Sequence, residues 1–430
     1  MMRIKNFINE EAYGGILLII TSIIALIWAN SAFYESYQFI WHEYKVGFTW
    51  GDINMLNSLN HWINDGLMAL FFFTIGLEIK REIMGGELSS LKKASLPITA
   101  AIGGMLIPAI FYAIITINYP EFIDGWGIPM ATDIAFALGL LALLGKRVHI
   151  NLKIFLTALA IADDLGAVIV IAVFYTESIN YSELLSAAFF IGVLIIANIA
   201  GIRKTSFYGI IGLVGVWMAF VFSGVHATIA GVLIALTIPA KTKIKENEYF
   251  SRLTMYLDKF NKEKKVEGAL LSSEQVHLIS KIEVLNADAH TPLQKLEHSM
   301  HPFVAFFILP VFALSNAGVH IEGSVVEMLL HPISLGIIGG LVLGKFIGIS
   351  LLSRLAVKMK IATLPEGLTW KHIYGVAFLA GIGFTMSIFI SDLAFKNEEY
   401  KQIAKVGIMA ASLISAIIGM IWLSSGSKQK

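Results

Sequence analysis

Cysteine is absent from the 430 residues, which excludes disulfides, thiolate metal centres and thiol nucleophiles. Charge is scarce. Asp, Glu, Lys and Arg make up 15% of the chain, against about 25% in soluble domains. The 32 basic and 31 acidic side chains nearly cancel, leaving +1, so the basic excess of a nucleic-acid binder is missing and no such partner is expected. No metal-ligand spacing, phosphate-cradling loop or nucleophile with a matching base stands out. The sequence therefore predicts neither an enzyme nor a resident cofactor.

What fills the chain instead is apolar. Hydrophobic residues account for 56% and the mean hydropathy is +0.73, a membrane composition whose obligatory partner is lipid. Runs of about 17–25 apolar residues mark candidate spans. About twelve occur, centred near Ile20, Phe71, Met105, Phe136, Asp163, Gly192, Val214, Gly231, Leu309, Leu341, Gly381 and Ser412. The first looks at a glance like a secretory leader, but its length and the spans that follow read as an uncleaved helix.

Lysine and arginine set the orientation. Bases cluster before the first span (Arg3, Lys5), after the second (Lys80, Arg81, Lys92, Lys93), the fourth (Lys146, Arg147, Lys153), the sixth (Arg203, Lys204) and the tenth (Arg354, Lys358, Lys360, Lys371), and at the end of the chain (Lys428, Lys430). The intervening loops hold few, with Lys45 and the 396–405 cluster as exceptions. This alternation puts both termini in the cytoplasm. Two pieces lie outside the membrane. Within the outer-face loop 31–57, "VGFTWGDINM" sets a Gly-Asp pair between β-prone runs and reads as a short hairpin. Residues 241–291 turn polar and read as a cytoplasmic helical insertion, with Ser272 and Gln275 spaced as a capping box and Thr291, Pro292 and Gln294 as a second helix start. The rest forms a single transmembrane domain over 1–430.

Charges at membrane depth are the sharpest signal. Asp163 and Asp164 sit side by side in "LKIFLTALAIADDLGAVIVIAVFY". Each acid costs roughly 2.5–3.5 kcal/mol to insert at a helix centre. Neighbours on a helix point about 100° apart, so the two cannot share one partner. Lys345 in "GIIGGLVLGKFIGISLL" is the only lysine or arginine central to a span, which pairs it with one acid and turns the other toward a hydrated cavity. Asp133 lies in "GWGIPMATDIAFALG", with Pro129 and glycines ahead of Thr132; "FLAGIGFTMSIFI" carries Gly381 and Gly383 ahead of Thr385 and Ser387. Mid-span Gly and Pro imply broken helices, tolerable where they line a cavity or are buried in protein. Two of them, in corresponding places of spans three to five and ten to twelve, point to a secondary-transporter site.

The runs "GWGIPMATDIAFALGLLALLG", "KIFLTALAIADDLGA", "SGVHATIAGV", "LVLGKFIGIS" and "GIGFTMSIFI" resemble the bacterial NhaA-type sodium/proton antiporters, in order and over nearly the whole chain. The resemblance implies an all-α polytopic fold of about twelve helices, with two inverted three-helix repeats whose broken fourth and eleventh helices cross at mid-membrane. It implies electrogenic, pH-regulated exchange of cytoplasmic Na+ or Li+ for external H+ across the bacterial inner membrane. Asp164 matches the carboxylate that carries sodium or protons, and Asp163 the acid paired with Lys345. Asp164 and Asp163 would thus hold the transported Na+, with Thr132 and Asp133 as the fourth-helix site residues. A pH-response region would fall on Glu78, Arg81, Glu82, Glu297, His298 and His301, with His226 also implicated. A homodimer would form through the outer hairpin. The 241–291 segment is much longer than the loop of the best-known members. A sodium-coupled symporter of a small organic solute is the rival reading; it needs a roomier, more polar site.

Overall fold

The computed structural model describes residues 2–47, 49–50, 53–145, 148–176, 179–263, 270–321 and 323–425. Gly51 and Asp52 of the hairpin turn, and the bases Lys146, Arg147, Lys428 and Lys430, lie outside them. The protein is an all-α polytopic membrane protein. Its helices are α1 (Met2–Ala29), α2 (Leu59–Gly85), α3 (Leu91–Thr116), a 3-10 segment α4 (Pro120–Met130), α5 (Ile134–Leu143), α6 (Ile150–Phe174), α7 (Tyr181–Ile199), α8 (Thr205–Ser223) and α9 (Thr228–Thr237). They continue as α10 (Glu246–Lys262), α11 (Ser273–Ala289), α12 (Pro292–Asn316), α13 (Pro332–Lys358), α14 (Trp370–Leu379), α15 (Phe384–Ala394) and α16 (Glu398–Ser425).

Eight of these are long and apolar enough to cross a bilayer, and the pairs α4–α5 and α14–α15 raise the number to ten if each counts as one span. The first expected span is helical from Met2, so Arg3 and Lys5 fall inside α1 rather than before it. Its apolar part, Tyr13–Ala29, and α9 are shorter. With 10 residues, α9 rises about 15 Å, half of a typical hydrocarbon core. Lys80 closes its end, donating to Leu236 O and Ile238 O at 2.6 Å each.

Lipid-facing and protein-facing sides separate along each helix. On α3, Ile102, Leu106, Ile110 and Ile114 are exposed at four-residue spacing. A stripe of that kind is stable against acyl chains and would be a liability in water. The opposite side of α3 packs on α13 at backbone contact. A Cβ on Gly103 would lie 2.1 Å from Gly348 O, and one on Gly344 2.7 Å from Pro108 Cα. The two helices therefore run antiparallel. Each opens a set made of a long helix, a bent pair and another long helix: α3, α4–α5, α6, and α13, α14–α15, α16. The bends are 46° and 48°. Two similar units of opposite direction are the architecture expected of inverted repeats.

Outside the spans, two antiparallel strand pairs follow the short helix Tyr34–Gln38, with Lys45 opposite Ser58, Val46 opposite Asn57, Thr49 opposite Asn54 and Trp50 opposite Ile53. Helices α10 and α11 form a hairpin. Ser272 and Gln275 complete a capping box at the start of α11, and Tyr249 donates to Asn286 Oδ1 across the pair at 2.8 Å. The hairpin's two ends meet: Lys243 N–H bonds to Asp288 O at 3.1 Å, and Arg203 clasps both flanks through Lys241 O (2.6 Å) and His290 O (2.8 Å).

Candidate ion-transport site

Two unwound stretches meet in the middle of the molecule. Residues 131–133 separate α4 from α5 in extended conformation, with Ala131 at φ −79°, ψ 149° and Asp133 at φ −83°, ψ 98°. Pro129 ahead of them has no N–H to continue a helix. Residues 380–383 separate α14 from α15, where Gly381 and Gly383 leave room for close neighbours. The segments join directly: Asp133 N–H donates to Ile382 O at 2.7 Å, and Thr132 Oγ1 lies 2.8 Å from Ala380 O. Backbone groups that a continuous helix would have paired internally are paired across the crossing, as burial in a membrane protein demands.

The α4 side of the crossing is pegged by two tyrosines. Tyr112 Oη donates to Phe122 O (2.8 Å), and Tyr175 Oη donates to Asp124 O (2.8 Å) while accepting from Gly127 N–H (3.2 Å). Both hold α4 against the long helices beside it. Ser387 Oγ donates to Ile128 O at 2.9 Å and ties α15 to α4.

The charged groups surround this crossing and are almost wholly withdrawn from solvent, with relative exposures of 2% or less for Thr132, Asp133, Asp163, Asp164 and Lys345. Asp133 caps two helix starts. Its Oδ1 accepts Phe136 N–H of α5 (2.9 Å), and its Oδ2 accepts Thr385 N–H (3.1 Å) and Thr385 Oγ1 (2.5 Å) of α15. A carboxylate is well placed there, because helix N-termini are partly positive. Lys345 follows a π-helical turn over Gly339–Gly344. It donates to Asp163 Oδ2 in a short, buried ion pair and to Thr132 Oγ1 at 3.0 Å. Thr132 Oγ1 is also 2.8 Å from Asp163 Oδ2.

Three carboxylate oxygens are left over. Asp163 Oδ1 and both oxygens of Asp164 are buried with no hydrogen-bond partner, and Asp164 is within electrostatic reach of Asp163, Glu78, Asp133 and Lys345. Leaving such groups unpaired is costly in a protein interior. Hard oxygen donors in this number suit a small hard cation, and the carboxylates equally suit protons. The adjacent acids do point apart, one to Lys345 and one not. A small cavity of about 70 Å³ is lined by Asp133, Thr385, Thr74, Glu78 and His301, among others. Asp164 is itself fully buried, and the void opens on Asp133.

The residues expected to respond to pH do not all gather in one place. At one end of α2, Arg81 donates to Glu82 Oε1 at 2.8 Å and forms a short ion pair with Glu297 of α12, while Glu82 Oε2 accepts Glu87 N–H at 2.7 Å. Glu78 and His301 share the cavity lining just above, and His298 is exposed on α12 nearby. His226 stands apart. Its Nε2 meets Tyr175 O at 2.9 Å, at the end of the molecule where Trp217 Nε1 bonds to Asp65 O near the start of α2. Three participants escaped the sequence reading: the carbonyls of Ala380 and Ile382, and Ser412 of α16, which accepts Phe384 N–H at 3.2 Å. A carbonyl carries no sequence signal, and Ser412 sits in an ordinary apolar run.

Similarity to other proteins extends over the whole chain. The profile of a family described as Na+/H+ antiporter 1 matches residues 5–423. The chain is 49% identical over 422 residues to a Na+/H+ antiporter NhaA 1 of Saccharophagus degradans, covering 97% of this chain and 90% of that protein. It is 47% identical to a Na+/H+ antiporter NhaA of Acidithiobacillus ferrooxidans (99% and 98% covered) and 46% identical to one of Helicobacter pylori (100% and 96% covered).

Proposed function

The chain belongs to the Na+/H+ antiporter 1 family, a family of transporters rather than enzymes, and from that premise we propose a residue-level mechanism for its Na+/H+ exchange. Asp164 carries either a proton or a sodium ion, never both. Asp163 completes the cation's oxygen shell when Lys345 releases it. The observation that carries this reading is the trio of buried, unpartnered oxygens on Asp163 and Asp164 beside a crossing of two broken helices.

The chemistry is competition followed by alternating exposure. A sodium ion between Asp164 and Asp163 takes over the charge balance that Lys345 supplies to Asp163 through its ion pair. Lys345 is then a buried ammonium without its carboxylate, and a proton can leave it. One proton leaves from Asp164 and a second from the Lys345–Asp163 pair, so two protons are exchanged for one sodium ion and transport moves net charge. Lithium, another small hard cation, is a substrate of the same oxygens. An organic solute would need a roomier, more polar site than one whose Thr132, Asp133, Asp163, Asp164 and Lys345 are each 2% exposed or less, which favours a bare ion as the cargo.

We further place the protein in the bacterial inner membrane with both termini cytoplasmic. Lys80, Arg81, Lys92 and Lys93 lie around the end of α2 and the start of α3, and the antiparallel packing of α3 on α13 brings Lys358 to the same side. The ionic cluster of Arg81, Glu82 and Glu297, with Glu78, His298 and His301 beside it, is the proposed pH-response region, and the strand pairs of 45–58 are the proposed dimer contact. A single cysteine introduced at Val46, in a chain with none of its own, should cross-link two copies; a strictly monomeric product would remove that contact.

The central test uses purified protein in proteoliposomes. Sodium addition should release protons from the native chain, and Asp164→Asn should abolish both that release and counterflow. Undiminished sodium-induced release from the Asn variant would overturn the assignment.

A further inference from the structure

The start of α15 poses a capping problem. An α-helix leaves its first N–H groups without internal partners. Gly383 stands at the N-cap position and has no side chain to offer them. Acceptors must come from elsewhere in the fold. Asp133 takes Thr385 N–H, as described, and Phe384 N–H is taken by Ser412 Oγ at 3.2 Å, wholly within the protein. Ser412 belongs to α16, the last span, and is 3% exposed. One turn along the same helix, Ser415 Oγ is 2.7 Å from where Gly381 would carry a Cβ, and it is buried without a partner. Helix α16 thus turns two hydroxyls toward the unwound stretch 380–383.

We propose that Ser412 is a positioning residue for ion exchange: it supplies in trans the cap that α15 lacks, and so sets where the 380–383 segment meets Thr132 and Asp133. This rests on the transport reading given above and extends it to a helix that contributes no charge to the site. The chain of contacts is short. Ser412 holds Phe384 N–H; Thr385, the next residue, is held by Asp133; and Ile382, two residues before Phe384, accepts Asp133 N–H. Without Ser412, Asp133 becomes the sole side-chain acceptor for the first N–H groups of α15, and the uncapped end is free to shift toward it. Thr132 is the immediate neighbour of Asp133, and Lys345 and Asp163 both bond to Thr132, so the displacement reaches the cation site without any change in its own side chains.

Sodium dependence of proton flux in proteoliposomes tests this, with thermal unfolding of each purified variant measured in parallel. Ser412→Ala should raise half-saturating sodium about tenfold, the equivalent of one lost buried hydrogen bond, with a smaller change in maximal rate. Ser412→Thr, which keeps the hydroxyl, should restore the native value. Ser412→Cys, of similar size but a weak acceptor, should fall between them, and it serves as the reading if the Ala variant does not fold. Native half-saturating sodium in Ser412→Ala would overturn the proposal. So would equal losses in the Ala and Thr variants, or a fall in maximal rate with unchanged half-saturation. Asp164→Asn measured alongside separates the two levels: full transport in that variant defeats the transport reading, whereas its loss with a native-like Ser412→Ala defeats this inference alone.

Discussion

Thr132 has one hydroxyl hydrogen and two acceptors for it, Asp163 Oδ2 and Ala380 O, each 2.8 Å away. Its lone pairs also receive Lys345 Nζ. The hydrogen can point at the carboxylate when Asp163 is charged, or at the carbonyl when a proton or cation takes that oxygen. A hydroxyl rotor therefore lets the crossing keep its hydrogen bonds in both states of the acid. Thr132→Val removes that adjustment while keeping the shape. It should raise half-saturating sodium by an amount corresponding to about 1–3 kcal/mol, and Thr132→Ser should behave as native; flux titrations in proteoliposomes decide this. The acids and Lys345 were legible in the sequence because charge at membrane depth is rare. That Asp163 Oδ1 and both Asp164 oxygens lack partners was not, because pairing depends on how neighbouring helices close over a residue, and spacing along one helix does not encode it.

At the scale of elements, hydropathy located the long helices and the Gly and Pro positions located both breaks. Apolar composition does not report length, however, so α9 read as a span although it has only 10 helical residues. The end of the molecule that carries the strand pairs holds a pH-sensitive group of another kind. His42 lies in the π-helical turn Phe39–Glu43, outside the spans. Its ring is exposed at the surface, yet the protein around it strips part of its hydration and holds its pKa below the ordinary value of 6.5; Lys405 and Lys401 add to this, against Glu398 and Asp392. Asp392 and Lys405 themselves pair at 3.0 Å, joining α15 to α16. The neutral imidazole is thus the folded form. Stability from this group is complete above pH 6.5 and is lost as pH falls toward the depressed value, because the detached segment binds the proton more readily. Amide protection factors across residues 34–43, with the intrinsic pH dependence of exchange divided out, should fall on acidification below pH 6.5, and His42→Gln should remove that fall. An acid response that persists in the Gln variant would place the titrating group elsewhere.

The whole molecule separates into a membrane bundle and one appended hairpin. Bundle helices depend on one another at backbone distance, as Gly103 and Gly348 do, whereas α10 and α11 are tied at the base by Arg203, by the Lys243–Asp288 backbone bond and by the ion pair of the same two residues. Replacing residues 244–287 with a short Gly-Ser linker should leave exchange and its pH curve intact, as measured by proton flux across a pH series. A displaced curve would make the hairpin a regulator of the Arg81–Glu297 cluster that follows it in the chain. The polar composition of this stretch and its capping signals made it readable as helical from the sequence. Its closed base was not readable, since that rests on Arg203, some forty residues earlier.

That closed base also makes the hairpin a mounting point. Two chain ends held side by side impose no stretch on whatever lies between them, so a rigid folded passenger spliced between Lys262 and Ser272 would stand clear of the bilayer without re-registering a single span. Such a passenger would give an otherwise smooth, detergent-shrouded particle the asymmetric mass that image alignment needs, and its tilt would report how the bundle moves as the ions change places.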